Sequence, residues 1–219
     1  PDLRAPDSPT LRVGGALRAA FKKVRHVRPM LSLDSLMEKD EVLEFDARVR
    51  KALEVEEVAY VVEPKFDGLS VELVYEDRVL KRGSTRGEGE TGEDITENLR
   101  TIRAVPLRLH QDGPAAKGVI AVRGEALMPL SEFEALNRRL IEQGEEPFAN
   151  PRNAAAGTVR QLDPGITAAR RLDLYAYDVM HAEGVRFKTQ TEMAEALRGW
   201  GFHVERRVRR CAGIEPALA

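Results

Sequence analysis

The period of the apolar pattern changes at Val58, and that change constrains the fold more than any other feature. Upstream, Glu38 to Leu53 carries Val42, Phe45, Val49 and Leu53 three and four residues apart, the spacing of an amphipathic helix. From Val58 the alternation is by two. Val58, Tyr60, Val62, Pro64 and Phe66 fall on one face of a strand, and Ala59, Val61, Glu63, Lys65 and Asp67 on the other. Gly68 permits a turn, Leu69, Val71, Leu73 and Tyr75 alternate along a second strand, and Glu76-Asp77-Arg78 reads as a hairpin turn into a third near Val79 to Thr85.

Thr85 to Glu93 holds three glycines and no apolar residue, and reads as a loop. Asp94 with Glu97 predicts a capped short helix, and Ser131 with Glu134 a capping box for a helix to about Gln143. A short helix is expected from Arg152 to Gln161, and one capped by Thr189 with Glu192 runs to about Trp200. Val119 to Met128 and Leu172 to Met180 read as strands. Pro1, Pro6, Pro9 and Gly14-Gly15 mark residues 1–15 as an irregular leader, followed by a short helix over Ala16 to Val24. Helices set among hairpin-connected strands make an α+β fold dominated by antiparallel sheet. Periodicity does not give the strand order.

A chain of 219 residues buries a core of one large domain or two small ones; residues 16–219 are taken as one domain. With 42% hydrophobic and 32% charged residues, the composition is that of a soluble globular protein. The net charge of -2 means that any nucleic-acid contact must rest on local basic patches. Cys211 is the single cysteine, which excludes an intrachain disulfide and a cysteine-rich zinc site and fits a reducing compartment. No apolar run long enough to span a membrane and no secretory pattern is present, so a cytoplasmic protein is expected. His26, His110, His181 and His203 have no metal-ligand spacing.

The chemistry centres on Glu63-Pro-Lys-Phe-Asp-Gly68, where the predicted strand face reads acid, base, acid. A lysine there is either one member of a solvated polar face or a nucleophile. A free lysine titrates near about 10.4, and neighbouring carboxylates raise that value, so a nucleophilic Lys65 needs desolvation, a cation or a metal beside it. Other residues read two ways as well. Arg86 sits on the glycine-rich loop as a surface charge or a ligand. Arg123 and Glu125 share a strand face as a surface ion pair or as site residues. Tyr177 is core or a stacking platform. Ser32 and Leu33 follow Pro29 in an ordinary turn or edge a pocket. Arg152 and Arg160 lie on a basic helix face or grip phosphates with the guanidinium fork.

Lys65-Phe-Asp-Gly68 resembles the signature of covalent nucleotidyltransferases: DNA ligases, RNA ligases and mRNA capping enzymes. Ser84-Thr-Arg-Gly-Glu-Gly-Glu-Thr-Gly-Glu-Asp-Ile-Thr-Glu-Asn98, Arg100-Thr-Ile-Arg103, Val122-Arg-Gly-Glu125, Phe148-Ala-Asn-Pro-Arg-Asn-Ala-Ala-Ala-Gly157, Arg160-Gln-Leu-Asp163 and Met30-Leu-Ser-Leu-Asp34 narrow it. From about Ser8 to about Val208 the chain resembles the adenylation domain of NAD-dependent bacterial DNA ligases. The resemblance implies that Lys65 carries AMP covalently, with Asp67 its catalytic partner in the motif. It places Glu63 near the adenine, Ser32 and Leu33 at the edge of the nucleotide pocket, and Arg86 beside the ribose and a DNA phosphate. Glu125 would bind the ribose hydroxyls and help place Mg²⁺ or Mn²⁺, Tyr177 would stack on the adenine, and Arg152 and Arg160 would hold phosphates.

The partners implied are NAD and nicked double-stranded DNA, gripped by its backbone without sequence preference, with no zinc in this span, no membrane, a monomeric state and a place near the nucleoid in the cytoplasm. Glu88 stands where the family often has aspartate, and Pro64 before the lysine is unusual. The chain reaches Ala219 without the family's two later lysine-bearing motifs, one beginning Asp-Gly-Val-Val. Also missing are the family's upstream nicotinamide-mononucleotide domain and its downstream oligonucleotide-binding, zinc, helix-hairpin-helix and BRCT modules. It therefore reads as a fragment, inactive or weakly active alone. The alternatives are an ATP- or GTP-using nucleotidyltransferase, against which Ala149 to Asp163 argues, and a non-catalytic nucleotide- or DNA-binding fragment.

Overall fold

The computed structural model describes residue 5 and residues 7–13, 20–115 and 117–219. Its strands are β1 (Lys23–Arg25), β2 (Ala59–Val62), β3 (Leu69–Glu76), β4 (Val79–Thr85), β5 (Thr91–Glu93), β6 (Val119–Leu127), β7 (Asp173–Ala182) and β8 (Arg209–Ala212). Its α-helices are α1 (Lys39–Leu53), α2 (Thr96–Thr101), α3 (Leu130–Glu142), α4 (Pro151–Val159), α5 (Pro164–Ala169), α6 (Gln190–Gly199) and α7 (Glu215–Leu218). They divide into two compact units, Pro1–Met30 with Phe66–Val204, and Leu31–Lys65 with Glu205–Ala219.

In the first unit the strands join, among the described residues, as an antiparallel sheet in the order β4-β3-β6-β7 and as the short pair β1-β5. The β3–β4 hairpin closes through Asp77 and Arg78, both in the left-handed region at φ 46° and 70°, whose twist matches that of the flanking strands. Period two then sorts the side chains. Val71, Leu73, Tyr75, Val122, Ala126, Leu174 and Ala176 line one face and are buried against Ile95, Leu99, Leu197 and Trp200. The polar tips of that core are satisfied: the Tyr75 hydroxyl donates to the Pro106 carbonyl at 2.8 Å and the Trp200 indole to the Pro114 carbonyl at 3.0 Å. A second apolar cluster joins Leu136 and Leu140 of α3 to Ala154 and Ala155 of α4. The opposite sheet face carries Ser70, Glu72, Arg123 and Glu125, brought together by the register Ser70↔Glu125 and Glu72↔Arg123.

In the second unit β2 pairs with β8, beside α1 and α7. The helix predicted over Glu38 to Leu53 is α1, with Glu41 accepting the Glu38 amide at 3.1 Å. Its buried residue is Asp46, while Phe45 and Leu53 of the predicted apolar stripe are exposed. Asp46 accepts from the Tyr60 hydroxyl at 2.8 Å and from Arg50 at 2.7 Å. Burial first, and then the bond to Asp46, push the Tyr60 phenol up to about 12.

Several expectations need correction. The strand expected from Val58 to Asp67 ends at Val62, so Glu63, Lys65 and Asp67 do not share a strand face. Pro64 has no amide to donate to a ladder, and β8 supplies partners only as far as Val62. The expected loop Thr85 to Glu93 contains β5, because backbone pairing with Lys23–Arg25 requires no apolar side chains. The helix expected over Ala16 to Val24 lies partly outside the described residues; where described, it gives way to β1. In the leader, Pro9–Val13 forms a 3-10 helix from which Arg12 donates to the carbonyls of Arg100, Ile102 and Val105. The Ser131 capping box does not form, since α3 starts behind Pro129 and Ser131 sits inside its first turn. Thr189 caps α6 as expected, accepting the Glu192 amide at 3.1 Å.

Candidate active site

The residues read as a site divide between the units. Ser32, Leu33, Glu63 and Lys65 belong to the second, Asp67, Arg86, Glu125, Arg152, Arg160 and Tyr177 to the first, and the chain passes from one to the other between Lys65 and Phe66. In the second unit Ser32, Leu33, Glu63 and Lys65 are all exposed. Loss of hydration and then the negative charge of Glu205 raise the Glu63 carboxyl above the usual range. Glu205 itself is lowered to about 2, chiefly by its bond to the Arg207 side chain.

In the first unit the site is built on the polar sheet face. Gly68 reaches it first. A β-carbon at this position would lie 2.2 Å from the Ala126 carbonyl oxygen, so only glycine lets the chain pass so close to β6. Its amide donates to Glu125 Oε1 at 3.1 Å, which ties the end of Lys65-Phe-Asp-Gly68 to the glutamate at the end of Val122-Arg-Gly-Glu125. Beside Glu125 on the same face, the Tyr177 hydroxyl shares a 2.7 Å hydrogen bond with Ser70, and the Arg123 guanidinium carbon lies 5.4 Å from the Tyr177 ring centroid. A cation over an aromatic face is attracted by the ring's negative face. Burial raises the Tyr177 phenol, partly offset by Ser70 and Arg123. Burial likewise raises Asp178, opposite Arg123 on β7.

Arg86 opens the glycine-rich turn, its amide donating to the Ser70 carbonyl at 3.0 Å. Gly87 follows at φ 56°, where a β-carbon would meet the Thr91 carbonyl oxygen at 2.0 Å. Two of the expected phosphate-binding arginines, Arg152 and Arg160, hold carboxylates. Arg152, in the first turn of α4, donates to Asp67 Oδ1 at 2.8 Å. Arg160, at the other end of that helix, grips both oxygens of Glu93 at 2.6 and 2.9 Å, which raises the guanidinium's own pKa. A fork that binds a carboxylate in two bonds has the geometry that binds phosphate oxygens.

Sequence reasoning missed Glu72 and His26. Both are buried on the polar sheet face, and Glu72 is fully so. Glu72 accepts from the Val27 amide at 2.8 Å, Arg82 at 3.2 Å and Ser84 at 3.4 Å, with His26 Nδ1 at 3.1 Å. The readable signal was its place two residues beyond Ser70 on a strand where the same face carries charge. His26 offered none, because its partners lie far off in sequence.

A glycine held against β6, a glutamate binding its amide and a tyrosine ring on the same polar face fit a nucleotidyltransferase. A family model for the NAD-dependent DNA ligase adenylation domain matches residues 18–219. The chain belongs to that family. The DNA ligase of Salinibacter ruber is 53% identical over 220 residues, which take in 100% of this chain and 32% of that protein. The DNA ligases of Azotobacter vinelandii and Bacillus subtilis are 51% and 50% identical over 222 and 218 residues, again across 100% of this chain and 28% and 32% of theirs. The chain thus spans about a third of the length of these relatives. This adenylation-domain family is built on NAD use, and its α+β character matches the antiparallel sheets and helices seen here. No helix among the described residues is long and apolar enough to cross a membrane.

Proposed function

We propose that the chain is the adenylate-accepting part of a DNA ligase and that the Lys65 amine attacks the α-phosphorus of NAD as nicotinamide mononucleotide leaves. NAD supplies the adenylyl group, which Lys65 then hands to the 5′-phosphate of a nick before the 3′-hydroxyl closes the strand and AMP leaves. The observation that carries this reading lies at the end of Lys65-Phe-Asp-Gly68: Gly68 is held against β6, and its amide is bound by Glu125. Phosphoryl transfer is chiefly positioning and charge neutralisation, so a fixed backbone beside the nucleophile matters.

In this reading Glu125 orients the ribose, Tyr177 offers its ring to the adenine, and Glu63 and the Ser32-Leu33 segment bound the nucleotide. Asp67 works beside Lys65. Arg86, Arg152 and Arg160 serve phosphates, and Arg152 and Arg160 exchange their carboxylate partners for phosphate oxygens when DNA binds. Backbone contacts of this kind are independent of sequence and weaken with salt. Among the described residues no three His, Cys, Asp or Glu side chains stand together as a metal cage. Glu125 and the substrate phosphates would hold Mg²⁺ or Mn²⁺, a donor set magnesium accepts, and the ion would neutralise phosphate charge. We place the monomeric protein in the cytoplasm at the nucleoid.

The test is mass spectrometry of a ligase of the relatives' length that carries this chain, after incubation with NAD or with ATP. One AMP on Lys65 from NAD alone is expected. Lys65→Ala and Lys65→Arg should both lose it, because arginine stays protonated and cannot attack. An adduct surviving in either variant, or formed from ATP instead, overturns the reading.

A further inference from the structure

His26 sits between two acceptors. Its Nδ1 lies 3.1 Å from Glu72 Oε2 and its Nε2 3.0 Å from the Arg86 backbone carbonyl oxygen. Both side chains of the His26–Glu72 pair are fully buried, so water cannot stand in for a missing partner. The Arg86 carbonyl can only accept, so the contact at Nε2 requires an N–H there. The Glu72 carboxyl is held from other sides as well, Oε2 accepting from Arg82 and Ser84 and Oε1 from the Val27 amide. The charged groups facing this point include Glu72 from β3, Arg82 from β4 and Arg123, which pairs with Glu72 from β6, and the Arg82 guanidinium also holds the Arg25 carbonyl at 3.0 Å.

The backbone repeats the pattern of these side chains. The His26 amide donates to the Glu90 carbonyl at 3.0 Å and the Met30 amide to Gly89 at 2.8 Å, after Lys23, Val24 and Arg25 pair with Glu93, Gly92 and Thr91. Residues 23–30 thus run along the whole glycine-rich turn, and His26 is the side chain that reaches its first residue. We infer that His26 is a positioning residue: bridging Glu72 and the Arg86 carbonyl, it clamps the turn and so sets where the Arg86 side chain can act. The functional half of this inference rests on the reading of Arg86 as a phosphate and ribose ligand.

The experiment has two arms. In the first, histidine-selective nitrogen NMR of this chain reads the His26 ring; a proton on Nε2, hydrogen-bonded to the Arg86 carbonyl, is expected. A ring whose Nε2 carries no proton overturns the clamp. In the second, His26→Asn, His26→Gln and Arg86→Ala are placed in a ligase of the relatives' length, and single-turnover adenylation and nick sealing are measured beside the melting temperature. Asparagine is short and reaches only the Glu72 side, so it should slow a step served by Arg86 by roughly 10²-fold, the scale of a misplacement of about 1 Å. Glutamine reaches the Arg86 carbonyl and should recover to within about tenfold of the wild type. A fully active, well-folded His26→Asn beside a slow Arg86→Ala refutes the positioning role. Wild-type rates for Arg86→Ala sink the reading of Arg86 and the functional half with it, whereas the state of the ring is decided by NMR alone.

Discussion

Gly68→Ala is the substitution whose effect follows most directly from the geometry. The added methyl would sit 2.2 Å from the Ala126 carbonyl oxygen and 2.7 Å from Leu127 Cδ2, and the first of these is rigid backbone in a paired strand. Side-chain β-carbons essentially never come within 3.0 Å of a neighbour, so the chain must retreat by at least 3.0 − 2.2 = 0.8 Å. A retreat of that size lengthens the 3.1 Å bond from the Gly68 amide to Glu125 by up to about 0.8 Å, to the edge of hydrogen-bond range or past it. Overpacking of this kind costs about 1–3 kcal/mol. In a domain of this size that lowers the melting temperature by roughly 2 to 12 °C. The catalytic cost should be larger, since a shift of about 1 Å next to reacting groups removes on the order of 10²-fold in rate. Differential scanning calorimetry and a single-turnover assay with labelled NAD, in a ligase of the relatives' length, read the two effects separately. Wild-type adenylation with a normal melting temperature would show that the close approach at Gly68 does not fix the nucleophile's segment.

Three further outcomes are expected. Arg160→Ala should leave the melting temperature almost unchanged, because an exposed ion pair such as Arg160–Glu93 is worth about 0–1 kcal/mol, while lowering the salt slope of nicked-DNA binding by about 1; an unchanged slope would remove Arg160 from the phosphate contacts. Tyr177→Phe keeps the ring and loses the hydroxyl's bonds to Ser70 and Arg123, so adenylate binding measured by calorimetry should survive it, whereas Tyr177→Ala should weaken binding roughly 5- to 150-fold through lost stacking. Tyr60 is raised from 10.0 to about 12, so the stability it contributes is full below pH 10.0 and lost as pH rises toward about 12. Alkaline unfolding followed by circular dichroism should show that loss in the wild type and not in Tyr60→Phe.

The sheet of the first unit was legible because its strands alternate on a strict period and one turn, Asp77-Arg78, is short enough to force a hairpin. Chain motifs likewise revealed Glu125, Tyr177, Arg152 and Arg160 as candidates. What stayed hidden was decided by contacts distant in sequence. Glu63 to Asp67 alternates like a strand, but a strand needs a partner, and β8 pairs only with Ala59–Val62. Phe45 and Leu53 look like a core stripe, yet α1 buries Asp46, because Tyr60 and Arg50 satisfy its carboxylate. The carboxylate partners of Arg152 and Arg160 lie 85 and 67 residues away, a separation no spacing rule spans.

The pairing of β2 with β8 also dictates an order of assembly. Ala59 meets Ala212, so that contact closes a loop of 212 − 59 = 153 residues, and loop-closure entropy must be met before the pair gives anything back. A ribosome delivers β2 long before β8. Until Cys211 emerges, Tyr60 and Val62 stand on an unpaired strand edge of the kind that recruits other chains. The first unit, whose named strands are all made by Ala182 and which runs to Val204, can form during that interval. The second unit is then finished after the first, when Arg209–Ala212 emerges, and a nascent chain halted before Arg209 would carry its open edge into solution.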